Sequence, residues 1–304
     1  MTPVTLRPAF LGIGPPKTAT SWMHKALRQH PEAHLPPMKE IGYWWAQSFL
    51  ADRRYWSRFF DAHWYYRESR SYLIASGRRH WQALKSGQLA GPALAWDLHY
   101  FFWPRTESWY RRLFDGRRVS GDITPKYCEL DDAAIAAIQQ RFPHLKIILS
   151  VRDPVEREWS RAKMNLCLKR GRMIEAIPHQ DWLAHFDQPA QAIANDYQGL
   201  YARWAEYFGP EQIHLVFYDQ VQTDAWQVFN DLCQFLGLSS LPDQEQQRIV
   251  RPANVGLTRP IPTHYEAYLF AKHREHMLRF AKAFPHYPYP QQWLQTHATS
   301  LGQA

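Results

Sequence analysis

Phe10-Leu11-Gly12-Ile13-Gly14-Pro15-Pro16-Lys17-Thr18-Ala19-Thr20-Ser21-Trp22 is the stretch on which the fold turns. It opens with an apolar run ending in glycine, the pattern of a buried strand entering a tight turn. Beyond it, Trp22, Met23, Ala26 and Leu27 recur at helical spacing, so a helix is predicted from Thr20 to Arg28, before Pro31. A strand-to-helix turn leaves free backbone N–H groups at the positive end of the helix dipole, which suits a phosphate-like anion. Lys17 adds a point charge, and Thr18, Thr20 and Ser21 add hydroxyl donors. The phosphate-loop pattern G-x-x-x-x-G-K-[ST] fails, because Pro16 stands before Lys17. That weighs against a P-loop kinase of a small molecule, as does the want of a convincing Mg²⁺-binding aspartate. The plainer alternative is an ordinary turn with a surface lysine and hydroxyl residues that cap the helix.

Further along, Lys146-Ile147-Ile148-Leu149-Ser150-Val151 is the strongest strand in the chain, an apolar run suited to the centre of a parallel sheet. It delivers Arg152 to its carboxyl end, the edge at which open α/β sheets bind ligands. Asp153 is placed to cap the next helix, with Pro154 at its first position. Ser160 lies about two turns along that helix, within reach of the same anion. Further strands are expected over Arg118–Asp122 and Ile213–Phe217. Helices are expected over Asp52–Asp61, Glu107–Phe114, Ala133–Phe142 (behind Asp131 and Asp132), Gln191–Phe208, Trp226–Leu236 and His264–Phe284. Strands alternating with helices imply a parallel sheet covered on both faces. The expected fold class is therefore α/β, as one domain over residues 1–304 with an aromatic-rich helical insertion over about 43–117.

Composition narrows the function. The chain has 304 residues, with Lys+Arg 36 against Asp+Glu 28, an excess of +8. Hydrophobic content of 45% and charged content of 21% exclude a disordered chain, and Cys 3 excludes a disulfide scaffold. Cys128, Cys167 and Cys233 read as buried small hydrophobes. No apolar run reaches the roughly 18 residues of a membrane helix. The first residues lack the core of a secretory signal, so a soluble, cytoplasmic protein without stable membrane insertion is expected. No run of Lys and Arg suggests nucleic acid, so the excess charge points to an anionic ligand held in a site. The histidines form no H-E-x-x-H; His273 and His276 read as surface residues on a basic helix, and no metal is expected. Of the 46 aromatic residues, 20 fall between residues 43 and 110, and most are expected to fill the core of the insertion.

Taken together, the segments resemble a family. Pro16-Lys17-Thr18-Ala19-Thr20-Ser21-Trp22 is similar to the 5′-phosphosulfate-binding loop of PAPS-dependent sulfotransferases. Lys146 to Ser160, K-I-I-L-S-V-R-D-P-V-E-R-E-W-S, resembles their 3′-phosphate-binding segment. Lys39-Glu40-Ile41-Gly42-Tyr43-Trp44 resembles the K-E-[IV]-x-[FY]-[FW] segment, and Gly121-Asp122-Ile123-Thr124-Pro125-Lys126-Tyr127 resembles G-E-x-T-P-x-Y. Val216 to Gln220 and Phe235 to Leu238 match a later strand and helix end. The likeness spans roughly residues 9–238 in the right order and is nearest the bacterial and carbohydrate (heparan-type) branch.

The resemblance implies a P-loop-NTPase-like sheet and direct transfer of a sulfuryl group from PAPS to a hydroxyl or amine of a small-molecule or glycan acceptor, without a metal. Lys17, Thr18, Ala19, Thr20, Ser21 and Trp22 would then hold the 5′-phosphosulfate, and Arg152 and Ser160 the 3′-phosphate. Lys17 would neutralise the leaving phosphate, Glu40 would be the base and Asp122 a second carboxylate at the site, with His99 as a fallback base. Arg251 or Arg259 would add basic contacts. Ala19 stands where the family commonly has glycine; Ile123 and Gly42 stand where the heparan branch often has a lysine and a histidine. Those two departures keep open a nucleotide-binding protein that has lost turnover.

Overall fold

In the computed structural model, residues 7–50, 60, 64–87, 91–116, 118–251 and 259–302 are described. Strands β1 (Phe10–Gly12), β2 (Ala33–His34), β3 (Val119–Ile123), β4 (Lys146–Val151) and β5 (Ile213–Phe217) pair in parallel in the order β2-β3-β1-β4-β5. In the register, Gly12 faces Ile123 on one side and Ile148 on the other, so β1 is the central strand. The chain reaches β1's neighbours from opposite directions, β3 on one side and β4 on the other. That is the topology that opens a crevice at the carboxyl ends of the strands.

Both faces of the sheet are covered, and the strands show it residue by residue. Leu11, Ile13, Ile147, Leu149, Val151, Leu215 and Phe217 enter one apolar cluster, while Phe10, Ile123, Ile148 and Val216 enter the other. Successive side chains of a strand point to opposite faces, so a strand buried twice must be apolar throughout. This is why the β4 run reads as continuous hydrophobicity rather than alternation.

Most expected helices lie close to where the periodicity puts them: Thr20–Leu27, Asp132–Arg141, Ala225–Leu236 and Thr263–Ala283. The helix expected over Glu107–Phe114 ends at Arg111. Except for Phe60, the helix expected over Asp52–Asp61 lies outside the described residues. The long helix expected over Gln191–Phe208 is in fact two, Pro189–Asn195 and Tyr197–Phe208. Asp196 breaks it by capping the second helix, its carboxylate accepting from Gly199 N–H, while Asn195 turns into a buried polar network. Side chains of this type compete with helical hydrogen bonds, a competition that apolar periodicity does not register.

The aromatic region contributes core. Tyr43, Trp44, Trp45, Tyr100, Phe101, Trp109 and Tyr110 are buried in the first cluster, and Tyr43 stacks on Tyr110 with ring centres 4.8 Å apart. Each such ring removes a large apolar surface from water, a contribution of about 1.5–3 kcal/mol. The three cysteines are buried and free. Among the described residues, no helix is long and apolar enough to cross a membrane.

Candidate active site

The turn after β1 is shaped by two constraints. Gly14 lies so close to β4 that a Cβ there would fall 2.0 Å from Ser150 Oγ, so only glycine fits. Lys17 and Ala19 then take left-handed backbone angles, φ 79° and 70°, before the helix begins at Thr20. For a residue with a Cβ this conformation costs roughly 1–2 kcal/mol, which explains why glycine suits position 19. Ala19 is the N-cap and offers no side-chain cap, and among the described residues the N–H groups of residues 17–21 have no hydrogen-bond acceptor. The turn is therefore a row of unspent donors at a helix N-terminus.

The hydroxyls divide. Thr18 is fully buried, donates to the Pro15 carbonyl at 2.7 Å and meets Ser150 Oγ at 2.6 Å; its side chain braces the loop instead of facing a ligand. Thr20 and Ser21 face the other way, towards the Lys39 ammonium, 3.4 and 2.9 Å from their oxygens. Trp22 points its indole into the second apolar cluster and donates to the Ile249 carbonyl at 3.0 Å, so it offers a ligand only backbone.

Beneath the loop, Arg157 is fully buried. Its guanidinium donates to Asn195 Oδ1 at 2.6 Å, Gln191 Oε1 at 3.0 Å and the Pro16 carbonyl at 3.4 Å. Glu158 beside it accepts from Asn195 and meets His273 Nε2 at 2.6 Å. His273 is thus a buried network member and not a surface residue. Its neighbour is 115 positions away, which no local pattern reveals.

Arg152 emerges from the end of β4 as expected. Its backbone carbonyl accepts from Tyr197 Oη at 2.7 Å, and its guanidinium lies 4.2 Å above the Tyr218 ring and 3.3 Å from Glu156. Asp153 caps the helix Pro154–Ala162 through the N–H groups of Val155 and Glu156. Ser160, half-buried on that helix, makes no side-chain hydrogen bond among the described residues. Arg259 turns its guanidinium to within 3.7 Å of Glu175, while its carbonyl holds Trp159 and Lys163; Arg251 is exposed.

Lys17 is half-buried and has no hydrogen bond or ion pair among the described residues. Burial, reinforced by the charges of Arg152, Arg161, Lys163 and Lys39, lowers its pKa. Lys17 thus feels four other cations and has no carboxylate partner among the described residues. Like charges near one another favour an anion beside them.

On the opposite lip sits Glu40, also left-handed at φ 61°. Its carboxylate is 29% exposed and receives Lys39 at 2.7 Å, which ties it to the same ammonium that reaches Ser21. The second carboxylate, Asp122, is 1% exposed. It accepts from Thr124 Oγ1 at 2.7 Å, Tyr127 Oη at 2.6 Å, Tyr110 Oη at 3.3 Å and the Ile41 N–H. Thr124 in turn accepts from Gly42 N–H at 3.2 Å. Burial raises the Asp122 pKa to about 6 against those hydrogen bonds. Asp122 thus clamps residues 41–42, the turn that carries Glu40, and a strained backbone persists when its surroundings hold it so.

Gly42 is itself left-handed at φ 64°, and Ile123 is buried in the second apolar cluster, so neither offers a group to the site. His99 is engaged by Trp109, its Nε2 3.1 Å from the Trp109 carbonyl. Lys39, Arg157, Arg161 and Lys163 were not singled out from sequence. Lys39 stood in plain view beside Glu40 and Arg161 beside Ser160, but neither neighbour shows which way a side chain turns.

The parallel P-loop-like sheet carries, after its central strand, a turn of unspent N–H groups of the kind that suits an anion. The profile of the sulfotransferase family matches residues 8–243, and the chain belongs to that family. A sulfotransferase of Alicyclobacillus acidocaldarius is similar in structure, with a TM-score of 0.59 at 20% identity over 91% of this chain and 95% of that one. The sulfotransferase domain of the Synechococcus PCC 7002 olefin synthase gives 0.42 at 14% identity over 88% and 95%. A sulfotransferase of Mycobacterium tuberculosis gives 0.46 at 16% identity over 81% and 71%. No curated protein matches the chain.

Proposed function

We propose that the protein transfers a sulfuryl group from PAPS to a hydroxyl or amine of a small-molecule or glycan acceptor. The observation that carries this reading is a helix N-terminus with unspent N–H groups beside Lys17, a lysine without a carboxylate partner among the described residues on which the charges of Arg152, Lys163 and Lys39 also act. A donor with a 5′-phosphosulfate and a separate 3′-phosphate meets that arrangement at two places. The loop N–H groups of residues 17–21, Lys17, Thr20 and Ser21 would take the first; Arg152 and Ser160 would take the second.

PAPS supplies an activated sulfuryl group whose S–O bond to the 5′-phosphate breaks as the acceptor oxygen bonds to sulfur, leaving PAP and a sulfate ester. Glu40 is the carboxylate exposed to an acceptor and takes the proton the attacking hydroxyl loses. Lys17 faces the negative charge that gathers on the departing phosphate, the kind of electrostatic help that dominates such steps. Asp122 positions Glu40 from behind and has no contact with the acceptor. No residue in this scheme calls for a metal ion.

Thermal denaturation with PAP, ATP–Mg²⁺ or ADP tests the reading, together with PAPS turnover over sugars, phenols, sterols and peptides. PAP is expected to raise the melting temperature most. Stabilisation by ATP–Mg²⁺ but not by PAP would sink the sulfotransferase reading, and PAP binding with no turnover on any acceptor would favour a binding protein.

A further inference from the structure

Two carboxylates around the Glu40 turn are each already matched to a lysine. Glu40 pairs with Lys39 at 2.7 Å, and Glu129 with Lys126 at 2.5 Å, the latter also receiving Trp45 Nε1 at 2.9 Å. Arg161 has no such match among the described residues. It stands one helical turn beyond Arg157, whose guanidinium reaches the loop carbonyl of Pro16; residues four apart share a helix face, so Arg161 lies on the loop-facing side of its helix and is half-buried there. Its charge acts on Lys17 and is acted on by Glu40 and Glu129. Among the described residues it makes no hydrogen bond or ion pair.

A guanidinium drawn out of water without a partner is unfavourable, and its planar fork fits a carboxylate, sulfate or phosphate in bidentate fashion. The donor's anions have partners of their own in Lys17, the loop N–H groups, Arg152 and Ser160. The carboxylates whose charges act on Arg161 are instead Glu40, the proposed base, and Glu129, in the turn Pro125–Glu129 that follows β3. We infer that Arg161 recognises an oxyanion on the acceptor, so that the molecule sulfated here is a hydroxy acid or another acceptor carrying a carboxylate, sulfate or phosphate near its reacting hydroxyl. This rests on the sulfotransferase reading above. A neutral phenol or sterol would leave Arg161 unmatched.

The test uses pairs of hydroxy acids (hydroxyphenylacetates, hydroxy fatty acids, uronic acids) and their methyl esters on the full chain saturated with PAP. Wild type, Arg161→Ala and Arg161→Lys are compared by melting temperature, and by kcat/KM with PAPS for any pair that turns over. At least one acid is expected to stabilise the PAP-saturated wild type beyond its ester. Where turnover occurs, that acid is expected to be preferred by about tenfold or more, as for a charge-assisted hydrogen bond. Arg161→Ala is expected to abolish the preference while PAP itself still raises the melting temperature, and Arg161→Lys to restore part of it. The inference is overturned if no acid outdoes its ester with the wild type, if the preference survives in Arg161→Ala, or if that variant loses PAP stabilisation. Failure of PAP to stabilise the wild type would instead remove the underlying reading.

Discussion

The donor side of the site and its acceptor side are assembled by different means. On the proposed donor side, the groups that would bind the anions come from two short segments at the ends of adjacent strands, residues 14–21 after β1 and Arg152 after β4. The ladder between those strands fixes their spacing. On the acceptor side, Glu40 rides on a turn with no strand pairing. It is held by a lysine next to it in sequence and by Asp122, Thr124, Tyr110 and Tyr127 from elsewhere. A ladder tolerates changes of side chain, because its hydrogen bonds are backbone to backbone. A clamp of side chains does not, so the two sides are expected to respond differently to substitution.

The largest contrast is between Lys17→Ala and Glu40→Gln. Removing Lys17 is expected to lower turnover by about 10²–10³-fold and to weaken PAP binding as well. Glu40→Gln is expected to lower turnover by roughly 10²-fold or more while leaving the PAP-induced rise in melting temperature intact. Kinetics and thermal denaturation on the same preparations separate the two, and near-normal turnover of Glu40→Gln would remove the base from Glu40.

A second contrast concerns what anchors the donor side. His297, on the helix Tyr289–Ser300, lies 2.7 Å from Asp153 and 2.7 Å from Glu266, and these partners, outweighing burial, raise its pKa to about 9. A raised histidine favours the folded state while protonated. Its contribution is therefore complete below about pH 6.5 and is lost as pH rises through about 9, an effect on the order of 3 kcal/mol. The melting temperature is expected to fall over that window in the wild type and to fall much less in His297→Gln. An unchanged pH slope in that variant would show that the triad does not hold the cap of the Arg152 helix.

On the acceptor side, Asp122→Asn is expected to lower turnover by about tenfold through loss of one charge-assisted hydrogen bond to the Glu40 turn, with PAP stabilisation unaffected. The carboxyl pKa near 6 adds a signature: turnover is expected to drop as pH falls through about 6 and the clamp is protonated. That limb is expected to be absent from the pH profile of Asp122→Asn. Equal loss of PAP binding would place Asp122 on the donor side and break the comparison.

Much of the donor side is legible in the chain. The β1 run, Gly14, Lys17, the β4 run and Arg152 follow from local rules of burial, turn geometry and helix capping. Individual side chains there are less so: Thr18 looks like a ligand donor and is a brace, because Ser150, 132 positions away, takes its hydroxyl. The burial of His273 was hidden for the same reason, since it depends on Glu158 from a different helix; the break at Asp196 is a local cap through Gly199 N–H that apolar periodicity does not register.

By itself, then, the sequence determined the parallel α/β sheet, the turn with free N–H groups after its central strand and the family, because each rests on residues adjacent along the chain or on periodic burial. Tertiary structure decided which carboxylate is exposed, which is a clamp, and that Arg161 makes no hydrogen bond or ion pair among the described residues. Those are outcomes of charge pairing and desolvation among groups as far apart in sequence as Glu40 and Arg161, and such pairing is set by how the helices pack.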